Sequence, residues 1–222
     1  MPIPAIQPYA MPTELPANQV AWQLEPHRAV LLIHDMQRYF AGFFPPGAPP
    51  LSELIANIRA IRQRADRLGV PVIYTAQPGD MTPAERGLLH DFWGPGMSSG
   101  ESSRAIVDEL APAAGDVIIT KWRYSAFART KLESHLRDLG RDQLIICGVY
   151  AHVGCLMTAC DAFTEDIQPF VVADAIADFT KEEHQMALEY VTRRCGVTLP
   201  AAHVLGVTCP SDGGSATPRG RV

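Results

Sequence analysis

Hydrophobic residues in this chain fall into two alternating kinds of run. Short stretches that are apolar at consecutive positions and rich in β-branched residues occur at AVLLI (29–33), VPVIYTA (70–76), DVIIT (116–120), QLIICGV (143–149), PFVVAD (169–174) and, more weakly, GVTL (196–199). Consecutive apolar positions are what a strand covered on both faces requires. Between these runs the period changes to that of a helix, over LSELIANIRAIRQRADRLG (51–69), SRAIVDELA (103–111), ARTKLESHLRDLG (128–140), VGCLMTACDAFTED (153–166) and KEEHQMALEYVTRRC (181–195). Gly69, Gly140 and Gly196 stand where helix C-caps are wanted. Strand and helix in repeated alternation imply parallel strands joined by right-handed crossovers. The expected fold is an α/β three-layer sandwich with a doubly wound parallel sheet of about six strands.

Composition narrows the class. The 222 residues suit one domain or at most two. We read a single domain over 1–209, preceded within it by a Pro-rich extended arm (1–26) and followed by a small, polar tail (210–222) that is expected to be disordered. Hydrophobic residues make up 47% and charged residues 19%, an ordinary core-forming mixture. The net charge of −5 comes without a basic stripe, so neither nucleic acid nor a membrane surface is an expected partner. The five cysteines (147, 155, 160, 195, 209) show no CxxC spacing, and the N-terminus lacks the form of a signal peptide. These features read as reduced thiols in a cytoplasmic protein.

In a parallel sheet of this kind, ligands bind where the strands end. The segments that follow the strands are HDMQRYF (34–40), QPGDMTPAERG (77–87), KWRYSAF (121–127), YAHVGC (150–155) and ADAIADF (173–179). An acid, an amide, an arginine, a lysine and a tyrosine thus converge on one rim. Asp35 alone reads as a cap or turn residue. Lys121 alone reads as a surface cation. Lys121 sits among Trp122, Tyr124 and Phe127, where a partly buried ammonium needs an anionic partner. Together on one rim, Asp35 and Lys121 read as a catalytic pair. Cys155 has two readings that spacing leaves open: a thiolate activated at a helix N-terminus, or a small apolar residue packed under the crossover. The seven histidines share no HxxxH or DxH spacing, so no metal site is expected. His34 and His152 lie close enough to the rim to support it. Gly94, Pro95 and Gly96 form a stiff loop that carries Trp93 as a lid.

The motifs HDMQRYF, YTAQPGDMTPAERGLLHDFWGPGM, TKWRYSAF, GVYAHVGCLMTACDAF and IQPFVVADAIADF, in this order, resemble the isochorismatase branch of the isochorismatase-like hydrolases. The resemblance runs from roughly Pro16 to Leu205. It implies hydrolysis, without metal or organic cofactor, of the enolpyruvyl vinyl ether of isochorismate or 2-amino-2-deoxyisochorismate. The products would be pyruvate and a trans-dihydrodiol carboxylate or its amino counterpart. In the cysteine amidases of the wider family a nucleophile falls at the position of Gly154, one residue before Cys155. Its absence suits an enol ether, which has no carbonyl to attack. The resemblance implies Asp35 as the acid and Lys121 as its partner. It implies Gln77, Arg86, Tyr150 and the backbone of Gly154 as the groups that bind the carboxylates and ring hydroxyl, with Gly154 leaving room for the ring. Phe40, Trp93 and Tyr124 would be the walls. It also implies a cis peptide at Val149–Tyr150 and a two-fold homodimer. Some members of this family carry an aryl-carrier domain, and the short tail here leads us to expect none attached. Two alternatives stay open: a nicotinamidase-type cysteine amidase using Cys155, and a non-catalytic member of the family.

Overall fold

The structure is a computed structural model, and it describes residues 3–207. The expected tail (210–222) and Cys209 lie outside the described residues. Six strands form one parallel sheet: β1 (Ala29–His34), β2 (Val72–Ala76), β3 (Val117–Thr120), β4 (Gln143–Val149), β5 (Gln168–Ala177) and β6 (Val197–Leu199). Their order is β3-β2-β1-β4-β5-β6, with every neighbouring pair parallel.

The consecutive apolar runs are explained by burial on two sides. Along β1, Ala29, Leu31 and Ile33 enter one core, and Val30 and Leu32 enter the other. The first core lies under the helix Leu51–Leu68, which contributes Leu54, Ile58 and Ile61 to it. The second lies under the helices Leu132–Asp138, Leu156–Thr164 and Lys181–Arg194. Each fully buried aliphatic side chain stabilises the fold by about 1.5–3 kcal/mol. Because the connections leave β1 and β4 toward opposite faces, a crevice opens above the ends of these two central strands. That is the switch point at which open α/β sheets bind ligands.

Four expectations need correction. The helix expected at 103–111 is absent as one unit. A short helix (Glu101–Arg104) and a 3₁₀ turn (Asp108–Leu110) flank an antiparallel bridge between Ile106 and Gln37. The main chain there pairs with the segment after β1, through Arg38 N–H to Ala105 O (2.8 Å) and Val107 N–H to Met36 O (3.0 Å), and tertiary pairing overrides local propensity. The helix expected at 128–140 starts only at Leu132, because the Thr130 hydroxyl bonds both Ala126 O and Leu132 N–H and holds a turn instead. β3 is an edge strand and is not covered on both faces, so Ile118 is 55% exposed. Gly69 and Gly140 are left-handed beyond their helices, as caps require. Gly196 is not; it is held by crowding, since a Cβ there would stand 2.8 Å from Pro169 O.

The N-terminal arm runs over the body. Ile6 N–H bonds Phe43 O at 2.8 Å, and the Asn18 amide pairs with both backbone groups of Thr198. No helix among the described residues is long and apolar enough to cross a membrane.

Candidate active site

β1 ends by delivering Asp35 into the crevice in a left-handed conformation (φ 48°). Asp and Asn are the side chains that tolerate this region best. The carboxylate is 4% exposed and fully engaged. Lys121 Nζ lies 2.9 Å from Oδ2, Gln77 Nε2 donates to the same oxygen at 3.2 Å, and the Thr75 hydroxyl donates to Oδ1 at 2.6 Å. Lys121 arrives from the end of β3 and is 1% exposed; its ammonium also donates to Arg123 O at 2.6 Å. Burial alone would raise the Asp35 carboxyl, but the Lys121 side chain beside it and the Thr75 hydroxyl outweigh it and hold it below the usual carboxylate range. The two side chains form a buried ion-pair contact.

A second charged group faces the same cleft. Arg86 ends the short helix Pro83–Arg86, whose start is fixed by a capping box between Thr82 and Glu85. It is 7% exposed. Its Nε donates to Gly94 O (3.0 Å) and its Nη1 to Gln77 Oε1 (3.4 Å). No carboxylate pairs with this guanidinium among the described residues. Gln77 therefore links Arg86 to Asp35. Gly96 lies so close that a Cβ there would stand 2.9 Å from Arg86 Cζ, at a φ of +85° that disfavours a side chain anyway. The expected stiff loop thus forms the back of an anion pocket as well as carrying Trp93, whose indole N–H donates to the Tyr124 hydroxyl at 2.7 Å.

β4 supplies the remaining wall. The Val149–Tyr150 peptide is cis, as the resemblance implied. The chain then makes a π-type turn over Ala151–Cys155 before the helix Leu156–Thr164. Asp178 anchors that turn, accepting from His152 N–H (2.6 Å), His152 Nδ1 (2.8 Å) and Phe179 N–H (2.9 Å). The Tyr150 ring packs on Phe40, Phe44 and Phe179, and its hydroxyl donates to Phe40 O at 2.8 Å. Two expectations about Gly154 change here. Its N–H is not presented to a ligand, since it bonds Tyr150 O at 2.9 Å. The space beside it is not open for a ring either, because the imidazole of His34 fills it. Cys155 is fully buried in the second core, and burial pushes its thiol well above the ordinary range. It has neither the access nor the acidity of a nucleophile.

Asp35, Phe40, Gln77, Arg86, Trp93, Lys121, Tyr124, Tyr150 and Gly154 all line one cleft of about 560 Å³ that is open to solvent. Three important groups were not read from the sequence. Thr75 hides in a strand whose composition already favours threonine. Gln37, 0% exposed, clamps the backbone of Gln77 from both sides (2.7 and 3.0 Å) and gives no local signal of burial. Phe179 closes the cleft from the end of β5, which extends to Ala177 rather than ending at 174. The structure also gathers His152, Asp178 and Glu183 within 4.8 Å of one another. The Asp178 oxygens there accept from the three donors just named.

The profile of the isochorismatase domain matches residues 29–203. An isochorismatase from Bacillus subtilis is 59% identical over 201 residues, covering 90% of this chain and 64% of that protein. The phenazine biosynthesis protein PhzD from Pseudomonas fluorescens is 55% identical over 205 residues, covering 91% of this chain and 98% of that protein. The chain thus spans a little under two thirds of the first relative and nearly all of the second. Among solved structures, a cysteine hydrolase from Pseudomonas syringae pv. phaseolicola superposes with a TM-score of 0.75 at 23% identity, covering 88% of this chain and 97% of that one. At that identity the likeness speaks for the fold, whereas the first two relatives are more than half identical to this chain over the residues they align with. The chain belongs to the isochorismatase family.

Proposed function

We propose that this protein hydrolyses the enolpyruvyl vinyl ether of isochorismate or 2-amino-2-deoxyisochorismate to pyruvate and the corresponding trans-dihydrodiol or amino-alcohol carboxylate. One observation carries this reading. The cleft holds a buried Asp35–Lys121 pair and a buried Arg86, and among the described residues no carboxylate pairs with Arg86 and no cysteine lines the cleft. Such a site is built to bind anions and move a proton, and it is not built for acyl transfer.

The chemistry follows from the bond to be broken. An enol ether becomes labile when its methylene carbon is protonated, which leaves an oxocarbenium ion. Water captures that ion, and the hemiketal collapses to pyruvate and the ring alcohol. Asp35 supplies the proton and its carboxylate then accepts one from the attacking water, so the proton count closes over one turnover. In the empty cleft Asp35 is held ionised by Lys121. A bound carboxylate competes for Lys121 and excludes water, and the upward push of burial then favours the protonated acid. Proton uptake therefore accompanies substrate binding. Arg86 suits a bidentate carboxylate grip, with Gln77 tying that grip to the acid. Phe40, Trp93, Tyr124 and Tyr150 enclose the ring.

The amidase alternative loses its nucleophile with Cys155 buried in the core. Beyond the chemistry, we read the protein as a cytoplasmic homodimer; sedimentation at micromolar concentration checks the dimer, and a single monomeric species would exclude it. The direct test of function is incubation with each of the two substrates, with pyruvate read by coupled lactate dehydrogenase, before and after iodoacetamide. Pyruvate release that survives alkylation is expected. No release from either substrate would overturn the assignment.

A further inference from the structure

One buried group in the cleft has no part in this chemistry. His34, the last residue of β1, is 0% exposed. Its Nδ1 lies 2.8 Å from the Val149 carbonyl oxygen, so this nitrogen carries the ring proton. Its Nε2 is buried without a hydrogen bond of ordinary geometry among the described residues, although the Tyr124 main chain lies near the ring. Two glycines give up side-chain space to this one residue. Gly148 lies opposite it in the β1–β4 register, at φ +116°, and a Cβ there would stand 2.1 Å from the His34 carbonyl oxygen. Gly154 is different, because its φ is not in the left-handed region and its backbone would accept any residue. A Cβ at 154 would instead stand 2.2 Å from His34 Cε1, 2.9 Å from Nε2 and 3.0 Å from Nδ1. The ring is held in place. Its Nδ1 is tied to Val149, it is shielded from solvent at the wall of the cleft, and its main chain is paired along the central strand with Gly148.

We propose, resting on the vinyl-ether reading above, that His34 is a specificity-determining positioning residue whose imidazole occupies the side-chain volume of position 154, so that the floor of the cleft beside Asp35 and Lys121 can carry no side chain and no nucleophile. The consequence is chemical. An oxocarbenium ion is captured by whatever nucleophile stands next to it, and a covalent adduct with a side chain would end turnover. With position 154 emptied, no thiol stands beside the cation, and Asp35, having given up its proton, acts as the base for the water that captures it. His34 also sits 3.9 Å from Asp35 Oδ2, so a displaced ring would disturb the acid directly. A single change at 154 therefore does not install a working thiol; the pair has to change together.

The test is a double-mutant cycle with Gly154→Ala and His34→Ala, read by thermal unfolding without substrate and by kcat/KM. Gly154→Ala should lower Tm and cut kcat/KM on the order of 100-fold, the loss that follows a misplacement of about 1 Å in a site. In the His34→Ala background the same change should leave Tm unmoved and should recover kcat/KM about tenfold relative to Gly154→Ala alone, a coupling typical of residues in contact. Cys155→Ser, one position on, should be additive with His34→Ala. In a Cys155→Ser background, iodoacetamide should label Gly154→Cys only when His34→Ala is also present, as located by peptide mass mapping. Additive effects at 154 and 34, or equal labelling with His34 in place, would overturn the proposal. If Gly154→Ala does not fold alone, folding of the double variant supports it and failure of both contradicts it. An independent check uses the wild type: the His34 ring nitrogens should show an Nδ1-protonated ring that does not titrate from pH 8 to 5, and a midpoint near 6.5 would refute the enclosure. The thermal cycle uses no substrate, so additive Tm shifts with turnover intact sink this proposal alone, whereas a wild type that releases no pyruvate sinks only the function proposed above.

Discussion

Asp35→Asn separates stability from chemistry at the buried pair. Asparagine tolerates the left-handed backbone at 35, so the change leaves φ 48° without new strain. The side chain fares worse. Oδ2 faces two donors, Lys121 and Gln77, so the amide oxygen has to take that place and the amide nitrogen must point at Thr75, whose hydroxyl turns to accept. Lys121, 1% exposed, is then left with Arg123 O and no carboxylate. Breaking a buried pair by removing one partner costs about 3–5 kcal/mol. Part of that is relieved if the ammonium sheds its proton. Because an unfolded lysine keeps its proton to about pH 10.4, the unfolded state then binds more protons than the folded one. The stability of the variant should rise with pH above 7, by up to about 1.4 kcal/mol per pH unit. Adding Lys121→Met removes the stranded charge and should return roughly 2 kcal/mol or more. Urea unfolding at pH 7 and pH 9 reads all of this. Turnover should not follow stability: kcat should fall by about 10²–10⁴-fold in both the single and the double variant, because the transferable proton is gone from each. A single variant as stable as wild type at pH 7 would refute the electrostatic reasoning. A kcat within tenfold of wild type would remove Asp35 as the acid.

Four further outcomes are expected. Since Asp35 is ionised in the empty cleft and must be protonated to react, kcat/KM should climb about tenfold per pH unit as pH falls from 8 to 5; a flat profile would place the reactive proton on Lys121. Arg86→Lys should raise KM about tenfold or more while changing kcat less, because one charged hydrogen bond of a bidentate grip is worth about 1.5–3 kcal/mol; an unchanged KM would exclude Arg86 as the carboxylate anchor. Cys155→Ser should leave kcat within a few-fold, and a loss of several orders of magnitude in a folded protein would restore the amidase mechanism. Burial holds His34 at about 4, below its ordinary 6.5. The unfolded state therefore binds the extra proton between these values, and roughly 3 kcal/mol of stability should be lost as pH falls through that window. His34→Gln should remove this slope, and an identical pH dependence in both proteins would contradict it.

The sheet was legible because a strand buried on both faces must be apolar at every position, and four such runs stand in AVLLI, VPVIYTA, QLIICGV and PFVVAD, with DVIIT reading the same way although β3 lies at the edge. Their alternation with helical periods implied parallel strands, and parallel strands imply a ligand at one edge. From that edge Asp35 and Lys121 could be named as a pair because they stand together on one rim, whereas the roles of Gln77 and Arg86 were implied by the family resemblance. The order of the strands was not written locally. It depends on which apolar face meets which helix, and it decides that β1 and β4 lie side by side with the cleft between them. The segment 103–111 has a helical period, yet its backbone pairs with residues 36–38, a choice made by distant groups. The same holds for the finer chemistry. Thr75, Gln37 and Phe179 became part of the site only when separate strands ended together. Gly154 showed in the sequence only that a nucleophile is missing. That its place is filled by His34, from a strand more than a hundred residues earlier, is set by the close packing of the folded chain, where two groups cannot share one volume.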